Sequence, residues 1–404
     1  MRTEEIPNPV RSITLEPVTL TSERKAHASA RSRIRKLPPG QRRRRTVVPA
    51  SAGWFERLRV RLQEDPQFVR STVQAAFALL CVWIGVEFVL FMRWGESGGA
   101  TAFVRRPPGA EGFLPISALI SLKYWLSTGI INEIHPSGLI ILLAIITVSV
   151  LLKKAFCSWL CPIGTLSESL WLLGKKIFGR TFDPPRWLDY PLRGLKYLLL
   201  LFFGLSVLTM GIPDLRAFIY SPYNKVADVK MYLFFVDLTA AAFWTLAVLA
   251  IGSVLIKGFW CRYLCPYGAL LGAVSWLSPF KITRNASTCI NCELCTKACP
   301  ARIAVHTATR VRSDECMSCY RCVDVCPVKD TLSMKLSRRS RPIPGWVFGI
   351  LVAGVFMAVT GLGMLTGHWH NSISQAEYLR RIRTINTPIY QHFRGHVPAY
   401  GPND

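Results

Sequence analysis

The chain has 404 residues, 50% of them hydrophobic and only 18% charged, with a mean hydropathy of +0.28. An average soluble protein carries about 25% charged residues, so this composition excludes a purely water-soluble fold. The net charge is nevertheless +25, from 49 Lys and Arg against 24 Asp and Glu; the two properties coexist only if segregated, as in a membrane protein with basic flanks on one side.

Residues 1–65 are polar and rich in Pro, Ser, Thr and Arg; between Arg24 and Arg61 stand 13 basic residues and one acid, Glu56. Such a segment buries too little apolar area to offset its ordering entropy and is expected to be a disordered, basic, cytoplasmic tail. The run Arg42-Arg43-Arg44-Arg45 does not read as an export signal, because no apolar stretch begins until about Thr72. Basic runs beside membrane spans serve as orientation signals and lipid contacts. Membrane lipid is therefore an expected partner, and nucleic acid is not.

A bilayer core takes about 20 helical residues, range about 17–25. Five stretches qualify: 72–92, 136–152, 192–212, 238–256 and 345–365. A sixth, 113–131, contains Pro115, Lys123 and several hydroxyls and reads as an interfacial or re-entrant helix. With five spans and the N-terminus inside, 38 of the 49 Lys and Arg lie on the inner side, as the positive-inside rule requires. A sixth span would move the 14 positive charges of 257–344 outside.

Twelve of the 13 cysteines fall into four tight clusters, which points to metal or redox chemistry rather than a disulfide framework. An internal repeat, offset by 104 residues, relates KKAFCSWLCPIGTL (153–166) to KGFWCRYLCPYGAL (257–270). Each copy follows a span, and duplicated membrane units tend to share a site between them. If the span continues helically, positions i and i+4 of each C-x3-C-P point the same way. Cys157, Cys161, Cys261 and Cys265 then supply four thiolates to a third cluster or another metal, or cycle as dithiols. Cys81, alone in the first span, is read as packing.

The strongest signal is CINCELCTKACP (289–300) followed by CMSCYRCVDVCP (316–327), each a C-x2-C-x2-C-x3-C-P run. Three close thiolates clasp three irons of a cubane, while the fourth ligates the other cluster. One [4Fe-4S] site uses Cys289, Cys292, Cys295 and Cys326; the second uses Cys316, Cys319, Cys322 and Cys299. Structural zinc also takes four thiolates, but two copies at this spacing disfavour it. The expected fold is an all-α membrane bundle of about five transmembrane helices with an inserted cytoplasmic two-cluster ferredoxin-like (α+β) module. Its parts are a four-span membrane domain over 66–280, the module over 281–335, a fifth helix over 336–366 and a periplasmic tail over 367–404. Nearby Lys297, Arg302, Arg310, Arg312 and Arg321 are expected to favour the reduced, more negative cluster states.

Several spans, two C-x3-C-P motifs and a following two-cluster segment resemble the NapH/NosR-type membrane polyferredoxins over about residues 70–365. The methylamine-utilisation ferredoxins and the copper reductases of oxidase assembly are similar. The resemblance implies a multi-pass protein of the bacterial inner membrane. It would move electrons between the quinone pool or a cytoplasmic ferredoxin- or flavodoxin-like donor and a respiratory or periplasmic redox partner, as a quinol dehydrogenase subunit does. The alternative it leaves open is a copper reductase or redox assembly factor working through the C-x3-C-P cysteines. The chain departs from the family in its basic front and in the short stretch after its last span.

Weaker features complete the reading. Glu87, inside the first span, faces a cavity or partner, or snorkels outward. Glu111, Glu133 and His135 are candidate acceptors of quinol protons, with solvated loop positions as the plainer account. His368, His370, His392 and His396 lack supporting metal-ligand spacing. Gly345 and Gly349 allow close packing of the last span.

Overall fold

A computed structural model describes residues 32–43, 51, 53–392 and 398–401. Asp65 starts the first long helix, Pro66–Glu96: its carboxylate accepts from the amides of Gln67 at 2.9 Å and Phe68 at 3.0 Å, and Pro66 occupies the first turn. Helices Pro66–Glu96, Trp187–Leu208 and Gly345–Leu365 are long and apolar enough to cross a bilayer. A fourth crossing forms if Ala227–Val236 and Ala240–Leu255, which meet at 81°, count as one broken span. Helix Pro136–Leu152 is apolar throughout but has 17 residues, at the lower limit for a crossing. By length the helices thus number three or four where the sequence led us to expect five. The difference lies in the short Pro136–Leu152 and in the bend at Asp237–Thr239.

Pro136–Leu152 owes its apolarity to its position. It is the central helix, and a helix buried all round needs no polar face. Against it lies Gly345–Leu365, whose Gly363 approaches so closely that a Cβ there would sit 2.6 Å from Ile140. Phe348 and Val352 of the same helix are fully buried.

The stretch expected to be interfacial or re-entrant folds as a turn over Pro108–Phe113 and a helix over Pro115–Thr128. Its 14 residues reach only about 21 Å. Gly109 packs against Ile84 in the middle of Pro66–Glu96, so the chain turns back toward the bundle before this helix begins. Lys123 is accounted for by the end of a neighbouring helix: its ammonium donates to the carbonyls of Val207 at 3.1 Å, Leu208 at 2.9 Å and Met210.

The repeat is visible in the packing. After the first C-x3-C-P, helix Pro162–Phe178 lies against Ala240–Leu255 of the second half; after the second, Pro266–Val274 lies against Pro136–Leu152 of the first. Each half reaches across to the other, and neither encloses the space between the motifs alone.

Beyond the second motif, strands β1 (Lys281–Arg284) and β2 (Leu332–Lys335) pair antiparallel, with buried Ile282 opposite buried Met334. Between them run two short helices, Leu294–Lys297 and Arg321–Asp324, at the same place in each cysteine run. This module is held to the membrane domain by donors aimed at one loop. Gln67 Nε2 donates to the Cys319 carbonyl at 2.8 Å, Ser158 Oγ to Met317 at 2.6 Å and Trp159 Nε1 to Ser318 at 3.1 Å.

Within the basic front, expected to be mostly disordered, residues 32–43 and 53–65 make defined contacts with the rest of the chain. Arg33 donates to the Asn291 carbonyl at 2.9 Å, the Arg43 side chain to Val323 at 2.6 Å and the Lys329 amide to Gln41 at 3.0 Å. Trp54–Glu64 is helical. The module's free carbonyls give these arginines acceptors that the sequence alone does not display; residues 1–31, 44–50 and 52 lie outside the described ones.

At the end of the bundle away from the cysteines, Glu111 and His135 are buried rather than solvated, while Glu133 is exposed. Glu111 accepts from Arg106 at 2.8 Å, Ser137 Oγ at 2.5 Å and the Gly138 amide at 2.8 Å. Arg106 also pairs with Asp228, and His135 Nε2 lies 2.6 Å from the Asn224 carbonyl. This network joins the segments that precede the two repeats to the start of the first, and a carboxylate so committed to a guanidinium is a poor proton acceptor. Removing one partner of a buried pair leaves the other uncompensated, at a cost of about 3–5 kcal/mol. Glu111→Gln is therefore expected to lower stability by that amount with iron content unchanged, as read by thermal unfolding in detergent alongside iron analysis.

Candidate functional site

The C-x3-C-P motif folds differently from a continuous helix. Cys157 sits on the short turn Phe156–Trp159, and the chain then breaks so that Cys161, in extended conformation, caps helix Pro162–Phe178. Its sulfur accepts from the Gly164 amide at 3.4 Å. The second copy does likewise: a π-turn over Trp260–Leu264 leads to Cys265, whose sulfur accepts from the Gly268 amide at 3.3 Å. Sulfur cap, proline in the first turn and glycine at the third position give the motif its spacing, and the helix N-terminus favours negative charge on that sulfur. Gly164 is required sterically, since a Cβ there would lie 2.2 Å from the Cys157 carbonyl oxygen.

Although i and i+4 do not share a helical face, Cys157, Cys161, Cys261 and Cys265 all line one cavity of about 720 Å³. The rest of its wall is largely aliphatic and aromatic, including Ile116, Leu119, Ile145, Trp171 and Phe203. The four thiols are half-buried. Enclosure pushes Cys157 up to about 11, against the pull of Lys154, and Cys261 up to about 12. Occupation of the site by a metal or cluster must therefore displace protons.

Two smaller cavities lie within the module. One is lined by Cys299, Cys316, Cys319 and Cys322 with Ile282, Ile303 and Val305; the other by Cys289, Cys292, Cys295 and Cys326 with Ile290 and Leu332. The last cysteine of each run thus lies with the first three of the other. Burial pushes Cys299 up to about 12 and Cys326 up to about 11. Asn291 and Glu293 in one run, and Ser318 and Tyr320 in the other, have φ between 51° and 60°, a left-handed turn that folds successive amides toward one side. Cys319 lines both its own cavity and the membrane cavity, so the two are immediate neighbours. Among the described residues no three His, Cys, Asp or Glu converge as they would on a single ion; the sulfurs surround volumes instead. Four thiols around an apolar space fit a polyatomic iron–sulfur cluster.

Charged groups unmarked by any motif join the module to the bundle. Glu168 accepts from Arg70 at 2.5 Å and also from Arg321; although burial opposes ionisation, these guanidiniums hold its carboxyl at about 2. Within the bundle itself, Asp189 accepts from Arg262 at 2.8 Å and Tyr263 at 2.6 Å. Lys196 pairs with Glu315, and Tyr197 donates to Asp314. Of the five basic residues expected to act through charge, only Lys297 and Arg312 are exposed and uncommitted among the described contacts. Arg321 serves Glu168 and lies over Trp171; Arg302 donates to Pro184 at 2.8 Å and Arg310 to Leu336 at 2.6 Å. Lys154, Glu168, Asp189, Lys196 and Glu315 escaped the sequence reading, although Lys154 and Lys196, cations at the edge of apolar runs, were the visible trace.

The remaining candidates stay apart. Cys81 lines none of these cavities, and Glu87 accepts from Trp83 at 3.0 Å. His368 lies beside Thr366, His392 stacks on Tyr223 at 4.8 Å, and His396 is outside the described residues.

A family model described as a 4Fe-4S binding domain matches twice, over residues 134–181 and 237–285, and a 4Fe-4S dicluster domain matches 282–334. Each copy of the first contains one C-x3-C-P pair. YccM of Escherichia coli K12, provisionally named an electron transport protein, is 46% identical over 318 residues, covering 78% of this chain and 89% of its own. The ferredoxin-type protein NapH of Haemophilus influenzae is 30% identical over 171 residues, covering 41% of this chain and 54% of NapH. The regulatory protein NosR of Pseudomonas aeruginosa is 29% identical over 169 residues, covering 40% of this chain but only 22% of NosR. No solved structure gives a significant match.

The two motif glycines differ in a way that can be measured. A Cβ at Gly268 would stand 3.4 Å from the Cys261 carbonyl, an ordinary contact, against 2.2 Å at Gly164. Gly164→Ala is expected to cost about 1–3 kcal/mol or more through forced displacement and Gly268→Ala less, compared by thermal unfolding in detergent.

Proposed function

The chain belongs to the NapH/NosR-type membrane polyferredoxins, integral-membrane iron–sulfur proteins of electron transfer, and we propose that it links a soluble one-electron carrier or the quinone pool to a respiratory or periplasmic redox partner. The observation that carries this reading is the row of three thiol sites, in which Cys319 belongs to both the module and the membrane cavity.

In this reading Cys289, Cys292, Cys295 and Cys326 hold one [4Fe-4S] cluster, and Cys299, Cys316, Cys319 and Cys322 hold a second. Cys157, Cys161, Cys261 and Cys265 hold a third centre between the two repeats. When bound, such clusters supply one-electron carriers whose potentials respond to burial, charge and hydrogen bonds. The protein's part is to keep water from the sulfurs with Ile282, Val305 and Leu332, to turn amides toward them, and to fix the module by the Arg70–Glu168–Arg321 clamp. The apolar wall of the membrane cavity suits the ring and isoprenoid tail of a quinone.

The charge distribution supports five crossings with the N-terminus and module inside the cell and the C-terminus outside, if Pro136–Leu152 and the broken pair each cross. A single copper ion handled by the four C-x3-C-P thiols has less support, because their cavity holds about 720 Å³ and no three ligands converge in it. Arg33 and Lys36 of the front, docked on the module through Arg33, and Lys297 and Lys329 of the module are all exposed. Such a basic surface steers an acidic soluble carrier.

Iron analysis with low-temperature EPR on reconstituted protein tests the assignment. About eight irons per chain fit two cubanes and about twelve fit three, whereas stoichiometric zinc without iron overturns it. Cys299→Ser is expected to alter the signal of the Cys316 set and Cys326→Ser that of the Cys289 set. Reversing the charge of Arg33 and Lys36 is expected to slow electron exchange with reduced flavodoxin roughly tenfold at low salt, as followed by stopped-flow absorbance, and to flatten its salt dependence.

A further inference from the structure

The membrane cavity contains a cation that no carboxylate pairs with directly among the described residues; Glu315 acts on it through space but is itself bonded to Lys196. Lys154 is 3% exposed and lines the cavity three residues ahead of Cys157. Among the described residues no carboxylate pairs with its ammonium and no carbonyl or hydroxyl accepts from it. The other cations around the cavity are engaged or wet. Arg70 and Arg321 serve Glu168, Arg262 serves Asp189, and Lys257 is half-exposed at the rim. Just outside, Lys153 donates to the Ser313 carbonyl at 2.8 Å and Lys196 takes Glu315. The Lys154 charge is felt most by Cys157, Glu315, Cys265 and Cys261, three of which are thiols of the site itself.

A cation on a side chain only 3% exposed and without a bonded counter-ion is costly, so its place on the wall of a four-thiol cavity favours an anionic occupant. The repeat sharpens the point. Lys153 and Lys257 correspond, but the counterpart of Lys154 is Gly258, at φ 62°. Two lysines facing each other across a shared site would repel; one suffices. The two halves thus supply equal numbers of thiols but unequal charge.

We propose that Lys154 is a positioning residue that supplies the countercharge for an anionic iron–sulfur cluster held by Cys157, Cys161, Cys261 and Cys265, and that it raises the reduction potential of that centre. This rests on the reading that the four thiols hold a cluster. Adding an electron increases the negative charge beside the ammonium, so the lysine stabilises the reduced state more than the oxidised one.

The test is an EPR-monitored redox titration with iron analysis on full-length reconstituted protein, comparing wild type with Lys154→Met and Lys154→Arg. The wild type is expected to show a centre beyond the two of the module. In Lys154→Met that centre is expected to shift to lower potential or be lost while the module signals stay unchanged; Lys154→Arg is expected to restore it. A Lys154→Met protein with the third centre present at unshifted potential overturns the role of the lysine but leaves the centre standing. A wild type with about eight irons and no third centre overturns the underlying reading, and the inference with it. Should Lys154→Met lose every signal, Lys154→Arg against Lys154→Gln makes the same comparison, with equal potentials in the two overturning the inference.

Discussion

The structure depends on Glu168 being clamped between Arg70 of the first span and Arg321 of the iron–sulfur module. One carboxylate here joins the membrane bundle, the amphipathic helix after the first C-x3-C-P and the Cys316–Cys326 run. Around it the Ser158, Trp159 and Gln67 side chains hold the loop that carries Cys319. Tunnelling between redox centres falls steeply with separation, so a module that merely floated near the membrane would serve poorly. The clamp is what makes Cys319 common to two cavities.

The second organising feature is duplication with exchange. Each C-x3-C-P caps a helix that packs on the opposite repeat, so the four-thiol cavity exists only when both halves are folded together. The module repeats the device on a smaller scale: Cys299 lies with the Cys316 set and Cys326 with the Cys289 set. In both places a site is built from segments that cannot complete it separately, which couples loading of the site to correct folding.

Much of this was legible in the sequence. The eight module cysteines, their crossed grouping and the last span at Gly345–Leu365 follow from spacing and hydropathy, because both are local codes. The gathering of the C-x3-C-P thiols was anticipated through the repeat, though for an imperfect reason: the cysteines meet because the second of each pair caps a new helix, not because a helix continues past them. What remained hidden was long-range. Nothing local marks Glu168 as the partner of two arginines about 100 and 150 residues away, and nothing marks Arg33 and Arg43 as partners of module carbonyls. The fourth expected span, 238–256, starts at the bend, and the apolar helix Ala227–Val236 that precedes it was not read as part of a crossing.

At the far end of the bundle, Arg106, Glu111 and Asp228 join the segment ahead of the first repeat to the segment ahead of the second through fully enclosed charge. Duplicated membrane proteins that carry solutes work by letting their halves rock about a central substrate. Here such rocking would have to tear open an ion network sealed from water at one end and a docked module at the other. The architecture is that of fixed wiring rather than a moving gate.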